Sequence, residues 1–74
     1  ATLYENEFRD VLAEMEVAAN NGNAMAQFNL GWINARGLVS SEGLMQDMDV
    51  AKAWFEKSAD LGFKDAIEVL EKNF

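Results

Sequence analysis

Two stretches of this chain carry the same spaced pattern, 40 residues apart. In the first, Ala18-Ala19-Asn20-Asn21-Gly22 is followed by Ala26 and Leu30; in the second, Ser58-Ala59-Asp60-Leu61-Gly62 is followed by Ala66 and Leu70. Similarity at a fixed period of this size is typical of proteins built from stacked repeats. Such proteins commonly bind other proteins through a surface and carry no catalytic chemistry. The pattern therefore indicates both a fold and a class of function.

The composition favours a small all-helical domain. The chain has 74 residues, half of them hydrophobic, and it has no cysteine, histidine or proline. Without cysteine there is neither a disulfide nor a thiolate metal site, and without histidine the chain lacks the most frequent general base and zinc ligand. No segment shows the period-two alternation of a strand. We predict one all-α domain over residues 1–74, with no cofactor and no metal site.

The chain is acidic, with a formal net charge of −7 from thirteen acids and six bases. An acidic surface repels phosphate backbones and anionic lipids, so we expect no nucleic-acid partner. No apolar run approaches the ~18 residues that span a bilayer, so we expect no membrane insertion and a soluble protein, with the cytoplasm favoured over the periplasm or secretion. Solubility alone accounts for the charge, and the alternative is that it steers a basic protein partner.

Periodicity predicts two helices before residue 37. Thr2 and Glu5 form a capping box that begins the first helix, and Gly22 ends it. Its inner face recurs at three- and four-residue spacing, at Tyr4, Phe8, Val11, Leu12, Met15, Ala18 and Ala19. Asn23 caps a second helix that runs to about Arg36. This helix has two apolar stripes, one of Ala26, Leu30 and Ile33 and the other of Met25, Phe28 and Trp32.

A helix that is apolar on two sides lies between two neighbours. Gly31 in the second helix lowers helix propensity by roughly 1 kcal/mol, so we expect it to permit a close backbone approach. Residues 37–47 contain glycines and serines without periodicity and predict a loop. Asp47 or Asp49 then caps a third helix, which Gly62 ends. We expect its inner face to consist of Val50, Ala53, Trp54 and Leu61, with Phe55 and Ala59 beside them. A fourth helix covers about 64–73, with an apolar stripe of Phe63, Ala66, Ile67, Leu70 and Phe74.

The central part of the chain resembles the Sel-one-like repeat family, a relative of the tetratricopeptide repeats. The residues that carry the resemblance are Ala26, Leu30-Gly31, Asp49, Lys52-Ala53, Phe55 after Trp54, Lys57-Ser58-Ala59 and Gly62. Asn34 departs from the family pattern where tyrosine is usual, and Glu71 departs from it where glycine is usual. The resemblance implies a short right-handed α/α superhelix, or solenoid, of about four antiparallel helices. Its parts are a half unit at 3–22, a full unit at 23–62 and a terminal helix at 63–74.

The residues favour a non-catalytic protein. Its serines have no histidine to activate them, and pairs of carboxylates at helical spacing are expected on any acidic helix. The segment Asp47-Met48-Asp49 lacks the further ligands and the glycine of a calcium loop. We therefore predict that the protein is not an enzyme and that its partner is another protein.

The resemblance implies a protein-interaction module or adaptor whose inner surface follows the second and fourth helices. For Trp32 the sequence leaves two roles open, packing in the core and anchoring a partner. The candidate contact residues are Gln27, Phe28, Trp32, Asn34, Glu42, Met45 and Gln46.

The alternative is a small acidic inhibitor or immunity protein that neutralises a basic toxin or enzyme. Small size and excess acid suit that role, and its candidate patch is Glu5, Glu7, Asp10, Glu14 and Glu16. The two functions differ in their salt dependence, because binding through an acidic patch slows steeply as salt rises.

Overall fold

The computed structural model describes the backbone of residues 2–37 and 46–74 and the side chains of residues 10–37 and 46–74. Within these ranges the chain forms four α-helices and no strand. Helix α1 covers Thr2–Asn20, α2 covers Ala24–Arg36, α3 covers Met48–Asp60 and α4 covers Lys64–Asn73. The protein is therefore all-α, as the composition predicts. No helix in the described ranges has both the length and the apolarity that a bilayer crossing requires.

Capping side chains determine where α2 and α3 begin. The Asn23 side chain accepts a hydrogen bond from the Ala26 amide at 3.0 Å. Asp47, and not Asp49, is the cap of α3, because its carboxylate accepts from the Val50 amide at 3.0 Å. Each cap satisfies an amide of the first turn that has no partner within the helix. The predicted starts of both helices are thus confirmed at the level of single hydrogen bonds.

The turns after α1 and α3 share one hydrogen-bond pattern. Gly22 has a φ of 93° and Gly62 a φ of 86°, in the left-handed region that glycine adopts without strain. In both turns the glycine amide donates to the carbonyl three residues earlier, at 3.1 Å for Gly22 and 2.8 Å for Gly62. The amide of the next residue donates five residues back, at 3.0 Å for Asn23 and 3.2 Å for Phe63. Both are Schellman caps, so the 40-residue sequence pattern corresponds to the same backbone turn made twice.

Each helix packs on the next one along the chain, α1 on α2, α2 on α3 and α3 on α4. The central pair is antiparallel and is held at both ends. The Ser58 hydroxyl near the end of α3 donates to the Ala24 carbonyl at the start of α2, at 2.8 Å. At the opposite end the Asp47 amide donates to the Asn34 carbonyl, also at 2.8 Å. These bonds fix how far α3 can slide along α2.

Helix α2 has a hydrophobic cluster on each side, as its two apolar stripes predict. The first cluster is buried between α1 and α2 and consists of Ala19, Ala26 and Leu30, with Leu12, Met15, Ala18, Ile33 and Trp54 packed around it. The second is buried between α2 and α3 and consists of Ala35, Ala51 and Phe55, with Phe28, Trp32, Val69 and Leu70 around it. Several residues of the predicted apolar faces lie outside both clusters and are exposed, among them Val11 at 54%, Met25 at 60% and Ile67 at 39%.

A close contact between Gly31 and Phe55 determines how α3 packs on α2. A Cβ atom on Gly31 would lie only 2.5 Å from Cε1 of Phe55, whose ring is fully buried. The close approach that we expected at Gly31 is therefore made by an aromatic ring and not by a backbone.

The predicted inner face of α3 is wrong at three positions. Val50 and Leu61 are 40% and 56% exposed, and Ala53 is exposed as well. The buried residues are instead Ala51, Phe55 and Ser58, each completely covered. Because the Phe55 ring must lie over Gly31, α3 is rotated so that the residues one turn before and after Phe55 face α2. Trp54 is half-buried and reaches the first cluster from the side.

Candidate functional site

A surface groove runs along the face of α4 that is turned towards α2. One section is a cavity of about 160 Å³ where the ends of α2 and α4 meet the start of α3, and the other is an opening of about 270 Å³ between α2 and α4. Val69 and Asn73 line both sections, so the two lie side by side along α4. We call this feature the α2–α4 groove.

The apolar section of the groove is built on a cluster of aromatic rings. The centre of the Phe55 ring lies 5.4 Å from the centre of the Trp32 ring, in an edge-on arrangement, and 5.9 Å from the centre of the Phe74 ring. Phe28 adds contacts to Trp32 and Phe63 at 6.2 and 5.1 Å. Rings packed at these distances hold one another in place, so the wall of the groove is preformed.

Polar groups surround the apolar section. The Arg36 guanidinium lies over the Trp32 ring, 4.8 Å from its centre. The Gln46 side chain donates to the Ala35 carbonyl at 2.8 Å, which ties the residues before α3 to the end of α2. Met48 projects at the rim and is 43% exposed. This section therefore combines an aromatic wall, a flexible thioether and one cation.

The open section is charged. Asp65, Glu68 and Lys72 of α4 line it opposite Phe28. Lys72 and Glu68 form an exposed ion pair with a nitrogen–oxygen distance of 3.1 Å. An exposed pair of this kind contributes little to stability, so both side chains are available to another molecule.

The predicted contact residues have three different locations. Phe28 and Trp32 are half-buried and line the groove, and Gln46 is exposed at its edge. Gln27 is 5% exposed and donates to the Ala19 carbonyl at 2.9 Å. Asn34 is 9% exposed and donates to the Leu30 carbonyl at 2.8 Å. These two amides bond to the helix backbone and leave little surface for a partner to touch.

Two further candidates, Glu42 and Met45, lie outside the described residues. So do the side chains of Glu5 and Glu7 in the acidic-patch alternative. Asp10, Glu14 and Glu16 are all exposed on α1. Asp10 and Glu14 lie one turn apart on the same side of α1, whereas Glu16 points to a different side of the helix. Within 10–20, the part of α1 whose side chains are described, the sequence has no lysine or arginine.

The lining residues that sequence reasoning did not propose as contacts include Arg36, Met48, Val69 and Phe74. The periodicity of the fourth helix places Phe74 in its apolar stripe, and it assigns no role to the other three. The spacing Val69 to Asn73, one helical turn, is the one signal that could have marked this face of α4.

The apolar section of the groove has dimensions suited to a side chain more than to a cofactor. Pockets for small molecules usually measure roughly 300–1,000 Å³, and the apolar section is about half the lower bound. No group of three or more acidic residues in the described part of the chain is arranged to hold a metal ion. Comparison of the chain with protein-family models, with curated proteins and with solved structures finds no match.

Proposed function

We propose that this protein is a non-catalytic protein-interaction module that binds a segment of its partner in the α2–α4 groove. The observation that carries the proposal is the preformed apolar section, where Trp32, Met48 and Phe74 surround a space of about 160 Å³. A space of this size accepts one large apolar side chain from a partner. A half-buried tryptophan and an exposed methionine around a concave surface are typical of interface hot spots.

The resemblance to Sel-one-like repeats supports the same function, and we propose the solenoid arrangement with it. Two features of the described residues agree with a solenoid. Consecutive helices pack on each other in chain order, and the same turn recurs after 40 residues. Stacked helical hairpins of this kind expose an inner surface that other proteins bind. The α2–α4 groove lies on the two helices that form that surface in the proposed arrangement.

The test uses two exposed side chains at the start of α3. Met48 is 43% exposed at the groove rim, and Val50 is 40% exposed and does not line the groove. Partners captured on the immobilised protein from cells of its natural source are identified by mass spectrometry, produced separately and titrated against the parent, Met48→Glu and Val50→Glu.

A partner that binds in the groove loses at least tenfold in affinity with Met48→Glu, because a carboxylate replaces the apolar contact. It binds Val50→Glu as it binds the parent. Equal affinities for the two variants would exclude the groove as the binding site. Circular dichroism of both variants checks that the fold is retained.

A second candidate function, the acidic inhibitor, is favoured by one observation. Asp10 and Glu14 are both exposed on α1, one helical turn apart on the same side of the helix. A basic toxin or enzyme is attracted to such a surface over distances of about 8–10 Å at moderate salt. Its association rate falls steeply between low and physiological salt, whereas binding in the apolar groove changes little. Stopped-flow association at several salt concentrations separates the two functions.

A further inference from the structure

Helix α1 has an apolar stripe whose counterpart elsewhere in this chain is covered by a helix. The 40-residue pattern relates α1 to α3, so Val11, Met15 and Ala18 correspond to Ala51, Phe55 and Ser58. In α3 those three residues are fully buried against the preceding helix, α2. In α1, Met15 and Ala18 are half-buried because they pack against the cluster shared with α2, and Val11 is 54% exposed. Besides α2, the described residues place no helix in comparable contact with α1, so the side of the stripe that corresponds to the covered side of α3 has no helix on it.

We propose that this stripe, which we call the α1 seat, binds a basic amphipathic helix of a partner protein. The inference rests on the acidic-inhibitor function described above, and it specifies which structure the basic partner places on α1. Its argument has two parts, the shape of the seat and the charge beside it.

The shape follows from how α2 covers α3. There the ring of Phe55 lies against Gly31, which has no side chain, and Phe28 and Ala35 pack beside it. Met15 occupies the position of Phe55 in α1. A partner helix on the α1 seat therefore needs a small residue opposite Met15, with apolar residues about one turn before and after it.

The charge follows from the counterpart of Trp54. In α3, Trp54 lies beside the buried stripe and packs against the cluster containing Ala26 and Leu30 of the covering helix. The corresponding residue in α1 is Glu14, and Asp10 lies one turn before it; both are exposed. A helix covering the α1 seat thus meets carboxylates where α2 meets an indole. Lysine or arginine at the positions equivalent to Ala26 and Leu30 satisfies them, and apolar residues do not.

The same charges disfavour a second copy of this chain as the occupant. The helix equivalent to α2 in the second half of the chain is α4, and its exposed Glu68 and Glu71 stand at the positions of Phe28 and Gly31. Placing these carboxylates over a seat flanked by Asp10 and Glu14 brings like charges together. The formal net charge of −7 adds to this repulsion.

The probe for the test is a peptide with the sequence of the covering helix, changed on one face. It consists of residues 23–37 with lysine in place of Ala26, Leu30 and Ile33, which keeps the face of Phe28, Gly31 and Ala35 and makes the adjacent face basic. A side-chain lactam on the remaining face holds it helical, since short isolated helices are marginal in water. A second peptide has the same composition and lactam but a scrambled order.

Each peptide is titrated into the ¹⁵N-labelled full chain up to about 1 mM, the weak limit of specific recognition, and binding is followed by amide chemical shifts. The α1 seat predicts shifts centred on Val11, Met15 and Ala18 and an affinity at least tenfold higher for the patterned peptide than for the scrambled one. Val11→Asn weakens binding about tenfold, because the valine side chain is no longer available for burial. The matched control, Val17→Asn, alters a valine on the same helix that is 62% exposed and off the stripe, and it leaves binding unchanged.

Two results overturn the inference in distinguishable ways. Equal binding of both peptides to α1 would show that charge alone attracts basic partners. The α1 seat would then be wrong, and the acidic-inhibitor function would stand. Absence of shifts on α1 at the highest concentration of either peptide would remove both. Sedimentation of the chain alone at the same concentrations tests the second copy, and a dimer that Val11→Asn dissociates would contradict the proposal.

Discussion

Replacing Gly31 by alanine tests the contact on which the packing of α2 and α3 depends. In an isolated helix this change is favourable by about 1 kcal/mol, because alanine has the higher helix propensity. In this fold the added methyl group would lie within 2.9 Å of three ring atoms of Phe55. Phe28, Trp32 and Phe74 lie around the ring, so it can withdraw from Gly31 only towards the cavity that it lines, where it would disturb these aromatic contacts.

The expected net effect of Gly31→Ala is therefore a loss of stability. Overpacking of a tight core costs about 1–3 kcal/mol, and three atoms in collision place this site near the upper end. Subtracting the gain in helix propensity leaves a destabilisation of about 2 kcal/mol, which corresponds to a fall of roughly 8–16 °C in Tm for a domain of this size. Urea unfolding and thermal unfolding, both followed by circular dichroism, measure the two quantities.

A double-mutant cycle with Phe55→Leu separates the collision from any other effect of the methyl group. Leucine withdraws the ring atoms that a Cβ on Gly31 would meet, so in this background Gly31→Ala should be neutral or stabilising by up to about 1 kcal/mol. Asn29→Ala, on the exposed side of α2, is the control for propensity and should stabilise by a few tenths of a kcal/mol. If Gly31→Ala had the same effect in both backgrounds, the Phe55 ring would not lie on Gly31 and the explanation of the α3 rotation would fail.

Two further pairs of substitutions test single features of the fold, each by thermal unfolding at neutral pH. Gln27→Leu removes the hydrogen bond to the Ala19 carbonyl, but it also removes a buried side-chain oxygen that has no partner among the described residues. Because the two effects oppose each other, we expect the free energy of unfolding to stay within about 1 kcal/mol of the parent. Gln27→Glu buries a carboxylate instead and should be clearly less stable. A large loss in Gln27→Leu would mean that the oxygen has a partner after all. Gly22→Ala and Gly62→Ala should each cost about 1 kcal/mol through the left-handed backbone alone, because no atom lies within 4 Å of either added Cβ; unequal losses would show that the two turns are not equivalent.

The local features of this fold could be predicted from the sequence because local chemistry determines them. Asn23 and Gly37 mark the two ends of α2 through bonds to backbone groups only three or four residues away. The two faces of α2 were also predictable, because both stripes lie within a single helix. The orientation of α3 was not, since it depends on Gly31, a residue in another helix. Val50 and Leu61 are as apolar as the residues that are buried, and only the contact across helices distinguishes them.

The candidate site was predictable to a smaller extent, for a related reason. Phe28 and Trp32 could be assigned to the groove, because large aromatic residues on one stripe of a helix lie together on the same side. A glutamine or asparagine gives no such information. Gln27 and Asn34 have side chains that bond equally well to a partner or to a backbone carbonyl, and their neighbours in space decide which. Met48 and Val69 line the groove through the meeting of three helices, which no single segment encodes.

The arrangement of two separate hydrophobic clusters on either side of α2 has a consequence for how the chain unfolds. Helix α1 packs on the first cluster, whereas α2, α3 and α4 share the packed aromatic rings of the second. Detaching α1 exposes the first cluster and leaves the aromatic one intact, so partial opening at the amino-terminal end requires less free energy than global unfolding. The three carboxy-terminal helices then behave as one cooperative unit, to which α1 is attached as a separable part.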